Sequence, residues 1–265
     1  MAWAVREIRN WAEFRQIADD TASVATSTGL GYVFRGQSDM RWSLQPTLAR
    51  LLNAKSGMNR IRAFEIEDMA LKEFQAQAHL HLSVQVLSQT TDMLGWWTLM
   101  QHYRAPTRLL DWTACSNVAA YFAVEENWDT DGVIWVVKVS DLDRAMLKRC
   151  GPNVAMTVGS LNDIFNNPNG DDRLRIIRRN LNTERMIAQQ AGFSVSNDPL
   201  ADHAIVTDEA MSSTNSEAFY KLVIPRKLKP EFLWRLRTLN ISPAALFPGL
   251  DGIALTVADL VRVMR

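Results

Sequence analysis

The stretch GVIWVVKV, residues 132–139, decides the fold class. Its apolar run is nearly unbroken and rich in β-branched side chains, the pattern of a strand covered on both faces and therefore placed mid-sheet. Candidate helices lie to its N-terminal side. Residues 60–80 carry Ile61, Phe64, Leu71, Phe74 and Ala78 on one side of a helix, with Glu65, Glu67, Asp68, Lys72 and Glu73 on the others. Residues 94–100 read as an apolar helical piece. A further helix, with Ser116 or Asn117 available as its cap, is expected to bury Val118, Ala119 and Phe122.

Further strands flank this core. YVFRG, 32–36, reads as a short strand ending at Gly36, and RMIAQQAGFSVS and AFYKLVIP are both rich in strand formers bounded by Gly, Asn and Pro. Residues 5–18, with Ile8, Trp11, Phe14 and Ile17 three apart, predict an amphipathic N-terminal helix, after which Gly29 and Gly31 break the chain. NNPNGDD, 166–172, is a turn, and beyond Pro225 the pattern is helix, turn, helix. With no internal repeat and no linker-like tract, residues 1–265 are expected to form one α+β domain.

Composition narrows the function classes. At 265 residues and 47% hydrophobic content, the chain can bury a sizeable core. Its 29 basic and 29 acidic residues cancel, so no global charge draws it to nucleic acid or an anionic membrane. Cys115 and Cys150 lie far apart without C-x-x-C spacing, which suggests neither a zinc site nor a disulfide framework. Arg6, Glu7 and Arg9 interrupt the apolar core that a signal peptide needs, and no apolar run approaches the roughly 20 residues of a membrane span. A cytoplasmic protein that does not enter a membrane is the expectation.

The chemical candidates concentrate in QHYRAPTRLLDWTACSNVAAYFA, residues 101–123, where polar residues crowd the approach to a plainly apolar helix. Arg35 ends an apolar strand before a glycine, so its fork of donors projects at a sheet edge where a ligand can approach the backbone. Its alternative role is a structural pair with Asp111, which sits among Leu109, Leu110 and Trp112 and should need a donor. His102, Tyr103, Thr107, Arg108 and Thr113 add more hydrogen-bonding capacity than one such pair uses. His79 and His81, two apart, point to different sides of a helix and cannot share a metal as an i, i+4 pair would. The basic segment 173–185 offers Arg173, Arg175, Arg178 and Arg179 to phosphates, but reads first as a solvated helix face around Leu174, Ile177 and Leu181. No phosphate loop, Rossmann fingerprint or hydrolase elbow occurs.

FRGQ at 34–37, W-S-L-x-P-T-L-x-R at 42–50, QHYRAPTRLLDWT at 101–113 followed by AAYFA, RMIAQQAGF at 185–193 and LFPGLDGI at 246–253 together resemble the FRG-domain family, in its motif order, over about residues 31–255. Arg104 departs from the family's usual glycine and bears on the shape of that loop. The family's layout is similar to that of ADP-ribosyltransferases. That resemblance implies a central mixed or split β-sheet flanked by helices, with NAD as substrate and no metal. It implies Arg35 as a catalytic residue with the catalytic carboxylate supplied by Glu184 or by Asp111, and Gly36, Gln37, His102, Tyr103, Thr107, Arg108, Trp112, Thr113 and Gln190 as the NAD-binding set. It further implies a toxin or phage-defence effector acting on a macromolecule, RNA or DNA with RNA favoured, and held by an antitoxin or regulatory protein. A nucleic-acid or nucleotide-binding module without catalysis, and a metal-independent nuclease, are the alternatives.

Overall fold

In the computed structural model, which describes residues 3–22, 31–151, 172–177, 183–212 and 219–263, Gly132–Lys138 is an interior strand, β4. The other strands are β1 (Ala4–Glu7), β2 (Tyr32–Gln37), β3 (Leu109–Thr113), β5 (Leu174–Ile177), β6 (Ala191–Ser196) and β7 (Phe219–Ile224). They form an open seven-stranded sheet in the order β1-β7-β4-β2-β3-β6-β5. Only β1 and β7 pair in parallel; every other pair is antiparallel, so the sheet is mixed. The fold is α+β, as expected.

Alternation along β4 builds two of the core's layers. Val133, Trp135 and Val137 join Trp3, Val33, Trp112 and residues of two helices, Val139–Cys150 (α7) and His203–Met211 (α9). Ile134 and Val136 face the opposite way, into Phe14 of Trp11–Ala22 (α1), Ala119 and Ala123 of Ser116–Val124 (α6), and Phe232 and Leu236 of Lys229–Thr238 (α10). All five of these β4 side chains are at most 2% exposed, and at roughly 1.5–3 kcal/mol each they are a major gross contribution to stability.

The close fit of α6 on the sheet comes from small residues. A Cβ on Gly36 would lie 1.8 Å from the Ala119 carbonyl oxygen, and one on Gly132 would lie 2.0 Å from that of Ala123. Glycines on β2 and β4 thus meet the alanines of AAYFA, and the helix backbone rests against the strands.

The sheet is weakly joined at one place. β2 pairs with β4 from Tyr32↔Lys138 to Gln37↔Val133, and β3 pairs with β6 from Leu109↔Val195 to Thr113↔Ala191. Between β2 and β3 the register holds only Phe34↔Thr113. The strands diverge there, and the site lies in that opening.

Several sequence expectations are corrected. The helix expected over 5–18 begins at Trp11, because Ala4–Glu7 extends the sheet beside β7, the Ile8 amide donates to Val223, and Asn10 Oδ1 caps the helix through the Glu13 amide. Within RMIAQQAGFSVS the first half is a short helix, α8 (Glu184–Ala188), capped by Thr183; the strand starts at Ala191. Around Leu174 and Ile177 the chain is strand rather than helix, with both residues buried. Arg178, Arg179, Leu181, Gly29 and residues 166–171 of the expected turn lie outside the described residues. The α6 cap is Cys115, whose side chain makes no capping bond, and Phe122 is partly buried. In Arg60–Ala78 (α3), Ile61 is 59% exposed while Glu67 is buried, which reverses their expected positions. The remaining helices are α2 (Thr47–Asn53), α4 (Val84–Gln89), α5 (Met93–His102), α11 (Pro243–Leu246) and α12 (Leu250–Val263), with a 3-10 turn at Arg226–Leu228. No helix among the described residues is long and apolar enough to cross a membrane.

Candidate functional site

Where β2 and β3 part, a cavity of about 160 Å³ opens between Phe34, Arg35, Asp111, Thr113, Phe122, Arg185 and Gln189. Strand alternation supplies part of this set: Phe34 and Gly36 turn toward α6, while Val33 and Gln37, the residues two away from Arg35, face the Trp135 side. Arg35 stretches across the gap, and its Nη1 donates to the Asp111 carbonyl oxygen at 2.6 Å. Its Nε is buried without a hydrogen-bond partner among the described residues. Burial lowers the guanidinium's pKa from its ordinary value; the Asp111 charge opposes this and Arg50 adds to it.

The expected Arg35–Asp111 ion pair is corrected, since the bond runs to the backbone. The Asp111 carboxylate is exposed rather than desolvated, and its Oδ2 accepts from Gln101 Nε2 at 3.2 Å. It is therefore free of a cationic hydrogen-bond partner and stands at the cavity wall.

Arg185 is the residue that sequence reasoning missed. Arg185 in α8 and Gln189, the residue that caps its C-terminus, are four apart and both line the cavity, while Glu184 is exposed and does not line it. The helical spacing in RMIAQQ carried this signal, which a strand reading hides. The Arg185 guanidinium stacks 4.8 Å from the Phe247 ring centroid, and burial lowers its pKa, with Asp111 opposing and Arg104 adding. His102, at the end of α5, has its pKa lowered by burial and then by Arg185. It meets Tyr103 edge-on at 5.0 Å.

Other expected ligand contacts belong to the scaffold. Gly36 lines the cavity by its backbone, while the space its missing side chain leaves is filled by α6. Gln37 accepts from Trp135 Nε1 at 2.6 Å and donates to the Ser43 carbonyl at 3.1 Å. Thr107 is 1% exposed, donates to Gln101 Oε1 and accepts from the Leu109 amide. Arg108 is 0% exposed: it grips Glu67 with two nitrogens, donates to the carbonyls of Ser196 and Asn197, and lies over the rings of Phe64 and Trp97. Glu67, which the helix pattern placed outside, is buried to meet it.

Trp112 and Thr113 border the cavity with their polar atoms already engaged. The Trp112 indole donates to Ser194 Oγ at 2.8 Å, and Thr113 Oγ1 accepts from the Cys115 amide at 3.0 Å. Tyr103 opens into a separate apolar hollow beside Phe74, Ala78 and Met100. Gln190, in the left-handed region at φ 47°, lines a neighbouring hollow of about 390 Å³ with Arg15 and Asn117, and this hollow shares Phe34 with the cleft. Arg104, at φ 64°, explains the glycine usual at its position. The Arg104 amide donates to Gln101 O and the Ala105 amide to Met100 O, closing α5 in a Schellman motif that favours glycine there.

Residues 31–132 match the family model described as the FRG domain, which covers FRGQ, the 42–50 motif and the segment through AAYFA. RMIAQQAGF and LFPGLDGI lie beyond the matched residues. No curated protein and no solved structure matches the chain. Over residues 31–132 the chain is thus similar to the FRG domain.

Proposed function

We propose that the cleft between β2 and β3 takes NAD as a substrate and that the protein is an ADP-ribosyltransferase. The observation that carries this reading is the convergence of Arg35, Arg185 and the Asp111 carboxylate on one cavity at the parting of the sheet. Two guanidinium groups suit a pyrophosphate, which they can grip through paired hydrogen bonds. The cavity of about 160 Å³ has room for the nicotinamide end, and the adjoining hollow of about 390 Å³ gives length for the rest.

Breaking the nicotinamide–ribose bond develops positive charge on the sugar. A carboxylate facing that charge stabilises the transition state more than the ground state. Asp111 is the one carboxylate among the cavity-lining residues, so it takes this role in place of Glu184. Phe34 and Phe122 offer aromatic walls for the departing ring.

The acceptor in this reading is a macromolecule, RNA in the first instance, and the protein is a toxin or defence effector restrained by a neutralising protein. This part rests on the family resemblance of the sequence motifs alone. The test is incubation with labelled NAD and cell extract. Transfer of label to RNA, DNA or protein, together with nicotinamide release, supports the reading; neither event from folded protein rejects it.

One observation favours a second reading. The site holds a single carboxylate beside two arginines, which also describes a nucleotide-binding module without chemistry. Salt-dependent binding of ADP-ribose or RNA, with no NAD turnover, would select it.

A further inference from the structure

Gln101, next to the last residue of α5, is held at both ends of its side-chain amide. Thr107 is buried, and its hydroxyl oxygen accepts from the Leu109 amide at 3.2 Å. The one proton of that hydroxyl goes to Gln101 Oε1. Gln101 Nε2 then donates to the Leu109 carbonyl at 3.3 Å and to Asp111 Oδ2 at 3.2 Å. The reverse orientation of the amide would set Oε1 against two other acceptors, the Leu109 carbonyl and the Asp111 carboxylate. A single orientation therefore satisfies the whole chain of groups, from the Leu109 amide through Thr107 and Gln101 to Asp111.

We infer that Gln101 is a positioning residue for the Asp111 carboxylate, and that Thr107 in turn sets Gln101. The inference rests on the reading of Asp111 as the carboxylate that faces the sugar. Asp111 is exposed, and an exposed aspartate is free to change rotamer unless a neighbour holds it. The Gln101 bond engages Oδ2, while Oδ1 has no hydrogen-bond partner among the described residues and is left for a ligand. Arg35 holds the same residue by its backbone carbonyl at 2.6 Å, so main chain and side chain are fixed by separate groups. A neutral amide also orients the carboxylate while adding no positive charge beside it, which keeps its full attraction for a developing cation. Thr107 is 1% exposed and touches no cavity, so its place in this chain is to aim Gln101 rather than to meet a ligand.

The test has two arms, and the first needs no NAD. Three-bond NMR couplings report the χ1 rotamer of Asp111 in the full chain. Wild type and Thr107→Ser are expected to show one rotamer, and Gln101→Met and Thr107→Val to show averaging between rotamers. Averaging in the wild type, or one rotamer retained in Gln101→Met, would overturn the inference whether or not NAD is turned over. The second arm is the kinetics of nicotinamide release. Gln101→Met and Thr107→Val are each expected to lower kcat about 10- to 100-fold with the KM for NAD little changed. Thr107→Ser, which keeps the hydroxyl, should restore most of the kcat lost in Thr107→Val. The double variant should lose no more than Gln101→Met alone, because both changes break one chain. Losses that fall on KM, or that add in the double variant, would overturn the inference. Circular dichroism checks that each variant is folded, and Gln101→Met, at a half-buried site, carries both arms if Thr107→Val does not fold. A wild type that releases no nicotinamide rejects the NAD reading, and the couplings then decide the positioning by themselves.

Discussion

His203 should make the protein acid-labile by an amount that the structure sets. The ring is 0% exposed at the start of α9, with Nδ1 2.8 Å from Ser194 Oγ. Ser194 already accepts from the Trp112 indole, so its own proton is available to Nδ1, and the ring is held neutral. Nε2 is buried without a partner. Burial, with Arg35 and Arg108 nearby, lowers the pKa from 6.5 to about 3. An unfolded chain takes up a proton on this ring below pH 6.5 that the folded chain refuses, so stability falls as pH drops from 6.5 toward 3. At about 1.36 kcal/mol per pH unit, the loss is about 2 kcal/mol by pH 5 and about 3 by pH 4. Asn in place of His203 keeps an acceptor for Ser194 and cannot titrate. Urea unfolding followed by tryptophan fluorescence, at pH 7.5 and pH 5, measures the difference. The wild type should lose about 2 kcal/mol more than His203→Asn between the two. Equal losses in the two proteins, or a ring that protonates near pH 6 by NMR, would refute the buried neutral histidine.

Other outcomes follow from the same packing. Gly36→Ala forces a methyl into the Ala119 carbonyl, and should cost about 1–3 kcal/mol in denaturant unfolding. Arg104→Gly removes a left-handed arginine at the end of α5 and should raise stability by about 0.5–1 kcal/mol, read as a higher melting temperature. Glu67→Ala strands the Arg108 guanidinium in the core and should cost about 3–5 kcal/mol, whereas joint replacement of the pair by Leu and Met should recover much of that loss.

The parts of the fold legible in the sequence are those set by local periodicity. GVIWVVKV gave an interior strand because both its faces are covered, and YVFRG gave β2 because glycine and the apolar run mark its extent. Two classes of feature were not legible. The first is the buried charge whose partner is distant in sequence. Glu67 reads as solvent-facing until Arg108 arrives from 41 residues away, and Lys229 is likewise placed only by the fold, where its Nζ donates to the carbonyls of Ser38, Glu126 and Asn127. The second is the direction of a side chain on a short element. Arg185 and Glu184 are neighbours, and only the helical turn of α8 decides that the arginine faces the cleft. Arg35 and Asp111 were correctly brought to one place, but through a backbone carbonyl that no pairing of charges anticipates.

The most direct measurement of the central claim is nicotinamide release from NAD by the purified full chain, with Asp111→Asn in parallel. The exposed Asp111 side chain can be exchanged without disturbing the core, and the Arg35 bond runs to its backbone. The account predicts release by the wild type, a loss of at least 100-fold in Asp111→Asn, and ADP-ribose binding retained by both. A folded wild type that releases no nicotinamide, or equal release by the two proteins, would contradict it.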